Sequence, residues 1–391
     1  MDVIEAKKRV RAEIDRLAPT LIEVSHEIHA NPELNFEEHF AHEMLTGVLT
    51  DEGLSVEQGA YDMPTAFDAR VGTEGPTIAV CCEYDALPGI GHACGHNIIA
   101  AAGLGAGLAA ATVAEALGGR LAILGTPAEE GGGGKEFMIR RGAFDDVDAA
   151  MMVHPADHDL RWMQTIAIHT VDVLYEGQAA HAAAAPHKGR NALDAAVLGY
   201  NNVAALRQHI RPEERIHGIF TDAGEKPNIV PERAAANWYV RSRNMESLEP
   251  LKQRVVDCLE AGAQAAGCNM KHRWNDPPFL DMIDNTPLLD LYCANAGEVG
   301  RVVHEPNPMS VVAGSTDMGN VSYAVPAIHP MIKVAPTGCA IHTPDFATHA
   351  RAESGDEAII DGALSMALTI VDLWANAEAM QSVRGAFEET Q

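Results

Sequence analysis

The sequence is poor in positive charge. Its 391 residues carry 28 Lys plus Arg against 55 Asp plus Glu, a formal charge of −27. Such a chain repels phosphate backbones and anionic lipid surfaces, which argues against nucleic acid or a membrane as its partner. Cysteine is also scarce, with seven residues and no Cys-x-x-Cys pair. An odd, sparse set excludes a disulfide framework and a structural zinc knot, and it points to a reducing compartment. The first residues, Met1-Asp2-Val3-Ile4-Glu5-Ala6-Lys7-Lys8, lack an apolar signal core and read as the start of a charged helix. Long Leu-, Ile- or Phe-rich runs are missing as well. The one uncharged stretch, Ile98 to Ala114, is mostly Ala and Gly, and Glu115 follows it. A helix packed closely on a sheet is expected there rather than a membrane span. The expectation is a soluble, cytoplasmic protein without repeats or low-complexity tracts.

What is present suffices for a large core. Apolar residues make up 47% of the chain, and the length suits two domains. Residues 2–30 show helical periodicity, with Ile4, Val10, Ile14, Leu17, Leu21, Val24 and Ile28 on one face. Pro19 is expected to kink or split that helix and Pro32 to end it. A second helix is expected over Phe36 to Leu49. Then come continuous apolar runs, Thr77 to Cys82, Leu121 to Thr126 and Ala149 to Val153, which suit strands buried on both faces. Near residue 166 the pattern changes. Strands are expected over Ile166–Tyr175, Gly218–Thr221, Ala234–Arg241 and Met270–Trp274, with helices over Asn191–His209 and Leu248–Ala265. After Pro277-Pro278 helix and strand text returns. It ends in a helix over Glu357–Ala375 and a polar tail, Gln381 to Gln391, expected to fray. The fold class is therefore α/β: a mixed-sheet catalytic domain, 1–165 and 278–391, with an inserted α+β sandwich, 166–277.

Unusual residues follow each candidate core strand, where α/β sheets place their sites. Glu83-Tyr84-Asp85-Ala86-Leu87-Pro88 and Gly91-His92-Ala93-Cys94-Gly95-His96-Asn97 follow the first. Pro127-Ala128-Glu129-Glu130 and four glycines follow the second, His154-Pro155 the third, and His342-Thr343-Pro344 stands near the C-terminus. Cys94, His96, Glu130, His154 and His342 combine thiolate, imidazole and carboxylate, the ligand chemistry of zinc; imidazole and carboxylate also suit manganese. In Glu129-Glu130, neighbouring carboxylates on an extended loop point apart. One can bind metal while the other takes a proton from an activated water.

These strings closely resemble the aminoacylase/carboxypeptidase superfamily of metallopeptidases. The nearest likeness is to its amidohydrolase branch of p-aminobenzoyl-glutamate, auxin-conjugate and β-alanyl-dipeptide hydrolases. The resemblance runs from His29-Ala30-Asn31-Pro32-Glu33 to His342-Thr343-Pro344. It implies a dinuclear Zn2+ or Mn2+ site with Cys94, His96, Glu130, His154 and His342 as ligands and Glu129 as general base. Asp85 would orient a ligand. Two departures, Glu83 where the larger superfamily has His and Asn97 where many relatives have Asp, leave the bridging group and ion count open. The insert resembles a lid that also mediates homodimerisation. By the same resemblance His181 reaches a neighbouring subunit's site to hold the oxyanion. Asn228 and Arg241 face substrate there, Arg241 as a carboxylate clamp. Ser315, in Gly314 to Asn320, lies in a loop near the substrate's carboxylate end.

The function expected is hydrolysis of the amide bond of an N-acyl or N-aroyl amino acid or a dipeptide, a small-molecule substrate with a free carboxylate. The alternatives are hydrolysis of another C–N bond, such as an N-carbamoyl group or an aromatic amine, and an inactive metal-binding scaffold.

Overall fold

The computed structural model describes residues 1–307 and 314–390. The chain forms two compact units, Met1–Gln164 with Met282–Gln391, and Thr165–Asp281.

The first unit starts with α1 (Val3–Ala30), α2 (His39–Asp51), β1 (Val56–Gln58), β2 (Phe67–Val71), β3 (Thr77–Cys82), α3 (His96–Leu117), β4 (Arg120–Gly125), α4 (Gly134–Arg140), β5 (Ala149–Met151) and β6 (His154–Ala156). The second contains β7 (Ala167–Glu176), α5 (Ala192–Leu206), β8 (Arg215–Asp222), β9 (Arg233–Ser242), α6 (Met245–Ala265) and β10 (Asn269–Trp274). The first resumes with α7 (Thr286–Glu298), α8 (Met318–Ala324), β11 (Ala327–Ile328), β12 (Met331–Lys333), α9 (Pro344–His349), α10 (Glu353–Ala375) and α11 (Ala377–Glu388).

The main sheet has the order β1-β2-β4-β3-β5-β11. Its centre is parallel, β4 beside β3 and β3 beside β5, while β1 and β2 run antiparallel. All six residues of β3 are buried, as the continuous apolar run requires. The Ala/Gly helix α3 packs on this sheet and against α1 and α10. Its composition has a steric cause: a Cβ at Gly103 would come within 2.8 Å of the Cys82 sulfur. Two helices, α3 and α10, are long and apolar enough to cross a membrane, but 89% and 72% of their apolar windows are buried inside the protein.

Three local expectations need correction. Pro19 lies inside an unbroken α1. It is on the exposed face, so the carbonyl it deprives of a partner meets solvent. The buried stripe from Ala6 to Ile28 continues on the opposite face and holds the helix together. The apolar run 149–153 is not one strand: β5 ends at Met151, and β6 opens at His154 in a separate pair with β12. The tail does not fray. Asn376 caps α11, Met380 and Val383 are buried on one face, and the Asn285 amide donates to the Val383 carbonyl at 2.8 Å. Two apolar residues one turn apart were enough to dock it on α7. Gln391 lies outside the described residues.

The second unit is a four-stranded antiparallel sheet, β10-β7-β9-β8, covered on one face by α5 and α6. β7 alternates buried and half-buried residues along all ten positions. Its core includes Val171, Tyr175, Trp238, Val255 and Leu259.

Just before α7, the Asp284 Oδ1 is buried without a hydrogen-bond partner among the described residues. Burial pushes this carboxyl up to about 7, against the pull of Arg161. The unfolded chain releases this proton near pH 4, whereas the folded chain keeps it to about pH 7. The group's contribution to stability therefore falls as pH rises through that window and is level above it. Asp284→Asn is expected to match the parent near pH 4 and to exceed it at pH 8. Three pH units at 1.36 kcal/mol each set the ceiling, and partial exposure lowers the gain to about 2 kcal/mol. Urea denaturation at both pH values checks this; a difference independent of pH would refute it.

Candidate metal centre

The carboxyl ends of β3, β4 and β5 lie side by side, and the chemistry-bearing loops leave from there. Glu83 and Asp85 follow β3. Cys94 and His96 stand at the start of α3. Glu129 and Glu130 follow β4, and His154 opens β6 after β5. His342 precedes α9, and its backbone N–H donates to the Ala93 carbonyl at 2.8 Å. Gly95, between the two ligand candidates of α3, has φ +81, and a Cβ there would meet Pro155 at 2.9 Å. Only glycine allows both that turn and that approach. Ala128 and His342 also adopt positive φ, at 62° and 63°, strain placed beside the candidate ligands.

All five ligand candidates meet here. Donor atoms of Cys94, His96 and His154 lie within 4.8 Å of one another, as do those of Cys94, Glu130 and His342, and those of Glu83, His96 and Glu129. Cys94 belongs to two of these groups. Its sulfur lies 3.4 Å from His154 Nε2, and His342 Nε2 lies 3.3 Å from Glu130 Oε1. Zinc–sulfur and zinc–nitrogen bonds at a tetrahedral angle would hold such a pair about 3.5 Å apart. His96 Nε2 is buried without a hydrogen bond, 3.9 Å from both Glu129 Oε2 and Glu130 Oε1. A divalent cation would satisfy these atoms, so the donor set fits one.

The supporting contacts match this use. Asp85 Oδ1 lies 2.9 Å from His96 Nδ1, and its Oδ2 accepts from the Glu130 N–H at 2.8 Å. Asp85 thus aims two candidate ligands at once and turns the His96 Nε2 lone pair toward the centre. Burial, with His329 and His96 adding to it, holds His154 well below the usual imidazole range, so it is neutral and able to ligate. Burial first, then Glu83 and Glu130, pushes the Glu129 carboxyl well up. So much buried negative charge needs a cation to balance it.

The remaining sequence candidates lie elsewhere. His181, Asn228 and Arg241 belong to the second unit. His181 is exposed, and its Nδ1 accepts the backbone N–H groups of Ala183 and Ala184 at 3.3 and 3.1 Å. The neutral ring therefore carries its proton on Nε2, free to donate outward. Asn228 is exposed, with its carbonyl accepting from the Ala182 N–H. Arg241 is half-buried on β9, 5.9 Å from the Tyr239 ring centroid. Ser315 lies in the first unit, half-buried, before α8.

The sequence reading missed several residues. Lys135 is fully buried between Glu83 and Asp317, with its Nζ on Asp317 Oδ1 at 2.6 Å. A lone lysine straight after four glycines was the only hint. Buried Glu38 accepts from the Ala128 N–H at 2.9 Å and from the Thr65 hydroxyl at 2.8 Å, fixing the turn before Glu129. His329 packs 5.1 Å from the His154 ring. Nothing local marked either one.

Comparison with known proteins agrees with this geometry. Residues 79–370 match the family described as Peptidase family M20/M25/M40. The Xaa-Arg dipeptidase of Mus musculus is 37% identical over 397 residues, covering 98% of this chain and 92% of that protein. A p-aminobenzoyl-glutamate hydrolase of Escherichia coli is 30% identical over 432 residues, covering 92% of this chain and 90% of that one. A solved dinuclear metal-binding M20 peptidase from Bacillus subtilis superposes with a TM-score of 0.70 at 18% identity, covering 92% of this chain and 99% of that one. That likeness speaks for the fold: a mixed α/β unit with a separate antiparallel sheet. A family match over most of the chain, meeting a buried cluster of metal-ligand chemistry at the strand ends, leads to one conclusion: the chain belongs to peptidase family M20/M25/M40 and is a metal-dependent hydrolase of amide bonds.

Proposed function

We propose that the chain hydrolyses dipeptides or N-acyl amino acids that carry a free carboxylate on the amine side, with two Zn2+ or Mn2+ ions per protomer. The observation that carries this reading is the 37% identity with a relative named Xaa-Arg dipeptidase along 98% of the chain. The name of the Escherichia coli relative likewise describes an amide whose amine part is an amino acid. Net charge adds a preference: at −27 the chain attracts cationic substrates, so an arginine- or lysine-containing dipeptide is steered better than an acidic one.

Cys94, His96, Glu130, His154 and His342 hold the ions, and Cys94, common to two ligand groups, bridges them. The ions supply Lewis acidity, which acidifies water and polarises the scissile carbonyl. Glu129 accepts the proton from water and returns it to the leaving nitrogen. His181 donates from Nε2 to the oxyanion of a substrate held by the neighbouring protomer, Asn228 donates to the amide, and Arg241 pairs with the carboxylate, as Ser315 does through its hydroxyl.

The second unit serves as lid and dimerisation domain. β8 is an edge strand with Ile219 and Phe220 exposed, and α5 exposes Val197, Leu198 and Tyr200. An unpaired edge with apolar residues beside it supports pairing between copies. All seven cysteines are free, which supports a cytoplasmic setting.

The test is a panel of Xaa-Arg, Xaa-Lys and Xaa-Glu dipeptides with N-acyl, N-aroyl and N-carbamoyl amino acids. Each is given to metal-stripped protein with zinc or manganese restored, and the same preparation is weighed by sedimentation. Release of a free amino acid from dipeptides, basic ones fastest, and a dimer mass are expected. Turnover confined to N-carbamoyl compounds would overturn the substrate reading, and a monomer mass would overturn the lid assignment.

A further inference from the structure

The contacts of Glu83 are divided in an unusual way. Its Oε1 is held by Lys135 Nζ, and Lys135 in turn is held by Asp317: Nζ to Oδ1 at 2.6 Å and backbone N–H to Oδ2 at 3.0 Å. All three side chains are completely buried. They come from three elements: the end of β3, the first turn of α4 and the residue before α8. One cation between two carboxylates leaves one negative charge uncompensated in a dry interior, where a lone charge is costly. The structure shows where that charge faces. Glu83 Oε2 is buried without a hydrogen bond among the described residues. It lies 3.7 Å from His96 Nε2, which is equally buried and unpartnered. That separation is too long for a hydrogen bond but suits two ligands of one ion. Glu129 completes the group, with all three donor atoms within 4.8 Å of one another.

We propose that Glu83 is a further ligand of the metal centre, on the His96 side, and that Lys135 is the positioning residue that aims it. Lys135 occupies one carboxylate oxygen and leaves the other to the ion. Asp317 fixes Lys135 by both its ammonium and its backbone. This inference rests on the metal-centre reading above and extends it by one ligand and its clamp.

The test measures metal, not turnover. Stripped protein is titrated calorimetrically with Zn2+ and, separately, with Mn2+, for the parent, Glu83→Gln and Asp317→Asn. Tm is recorded with and without the ion. The parent should take two ions. Glu83→Gln should weaken one of them at least tenfold and leave the other close to the parent value; Asp317→Asn, acting through Lys135, should weaken the same ion by about tenfold. The rise in Tm on adding metal should shrink in both. If Glu83→Gln does not fold, Glu83→Asp, which keeps the charge and withdraws the oxygen by one methylene, should show the same selective loss. Parent-like affinity and stoichiometry in the Glu83 variants, with Tm lowered equally with and without metal, would show that the triad only ties three elements together and would overturn the proposal. A parent that binds no ion would instead sink the metal-centre reading itself.

Discussion

Glu129→Gln is expected to keep its full metal complement and lose at least about 10³-fold in kcat, with KM little changed. The amide has the volume of the carboxylate and still fits its buried place beside Glu83 and Glu130. It cannot accept a proton from water, and it returns none to the leaving nitrogen. Metal should stay because the five proposed ligands do not include Glu129. Metal analysis and steady-state kinetics on one preparation decide the matter. Near-normal kcat would refute Glu129 as base. Loss of metal together with activity would move Glu129 into the ligand set and leave the base unassigned.

Lys135→Met should have the largest effect on stability. The methionine fills the channel of the lysine stem but leaves Glu83 and Asp317 buried with no cation between them. Breaking a buried pair from one side costs about 3–5 kcal/mol, because the remaining charge stays in the dry interior. Denaturant unfolding of the metal-free variant should show that loss in full. Neutralising both carboxylates as well, with Glu83→Gln and Asp317→Asn, should recover most of it, since the cost comes from unpaired charge and not from lost volume. A loss below about 1 kcal/mol for Lys135→Met would mean that the two acids are solvated or protonated in the folded chain and that the clamp is not ionic.

The candidate site was more legible than its surroundings. Cys94, His96, Glu130, His154 and His342 could be picked out because each stands directly after an apolar run or before a helix start, and strand ends of a parallel sheet converge. The core runs 77–82 and 121–126 were readable for the same reason: strands buried on both faces carry no polar residue to interrupt them. The three misreadings share a cause. Pro19, the break at Met151 and the helical tail were each decided by what packs against the segment: the α1 stripe, the pairing of β6 with β12, and the α7 surface beneath Met380 and Val383.

By itself the sequence determined which chemistry is available: soft and borderline ligands in a set order, an adjacent acid pair, and glycines where the backbone must turn left-handed. Tertiary structure alone decided how that chemistry is oriented. Residues 83, 135 and 317 are joined through one ammonium only because β3, α4 and α8 meet in the interior. Asp85 grips both His96 and the Glu130 backbone only because two strand ends are neighbours. Residue type is local, but the direction of a carboxylate oxygen and the charge it faces depend on every element around it. Long-range electrostatics in a dry interior therefore left no mark on the one-dimensional pattern.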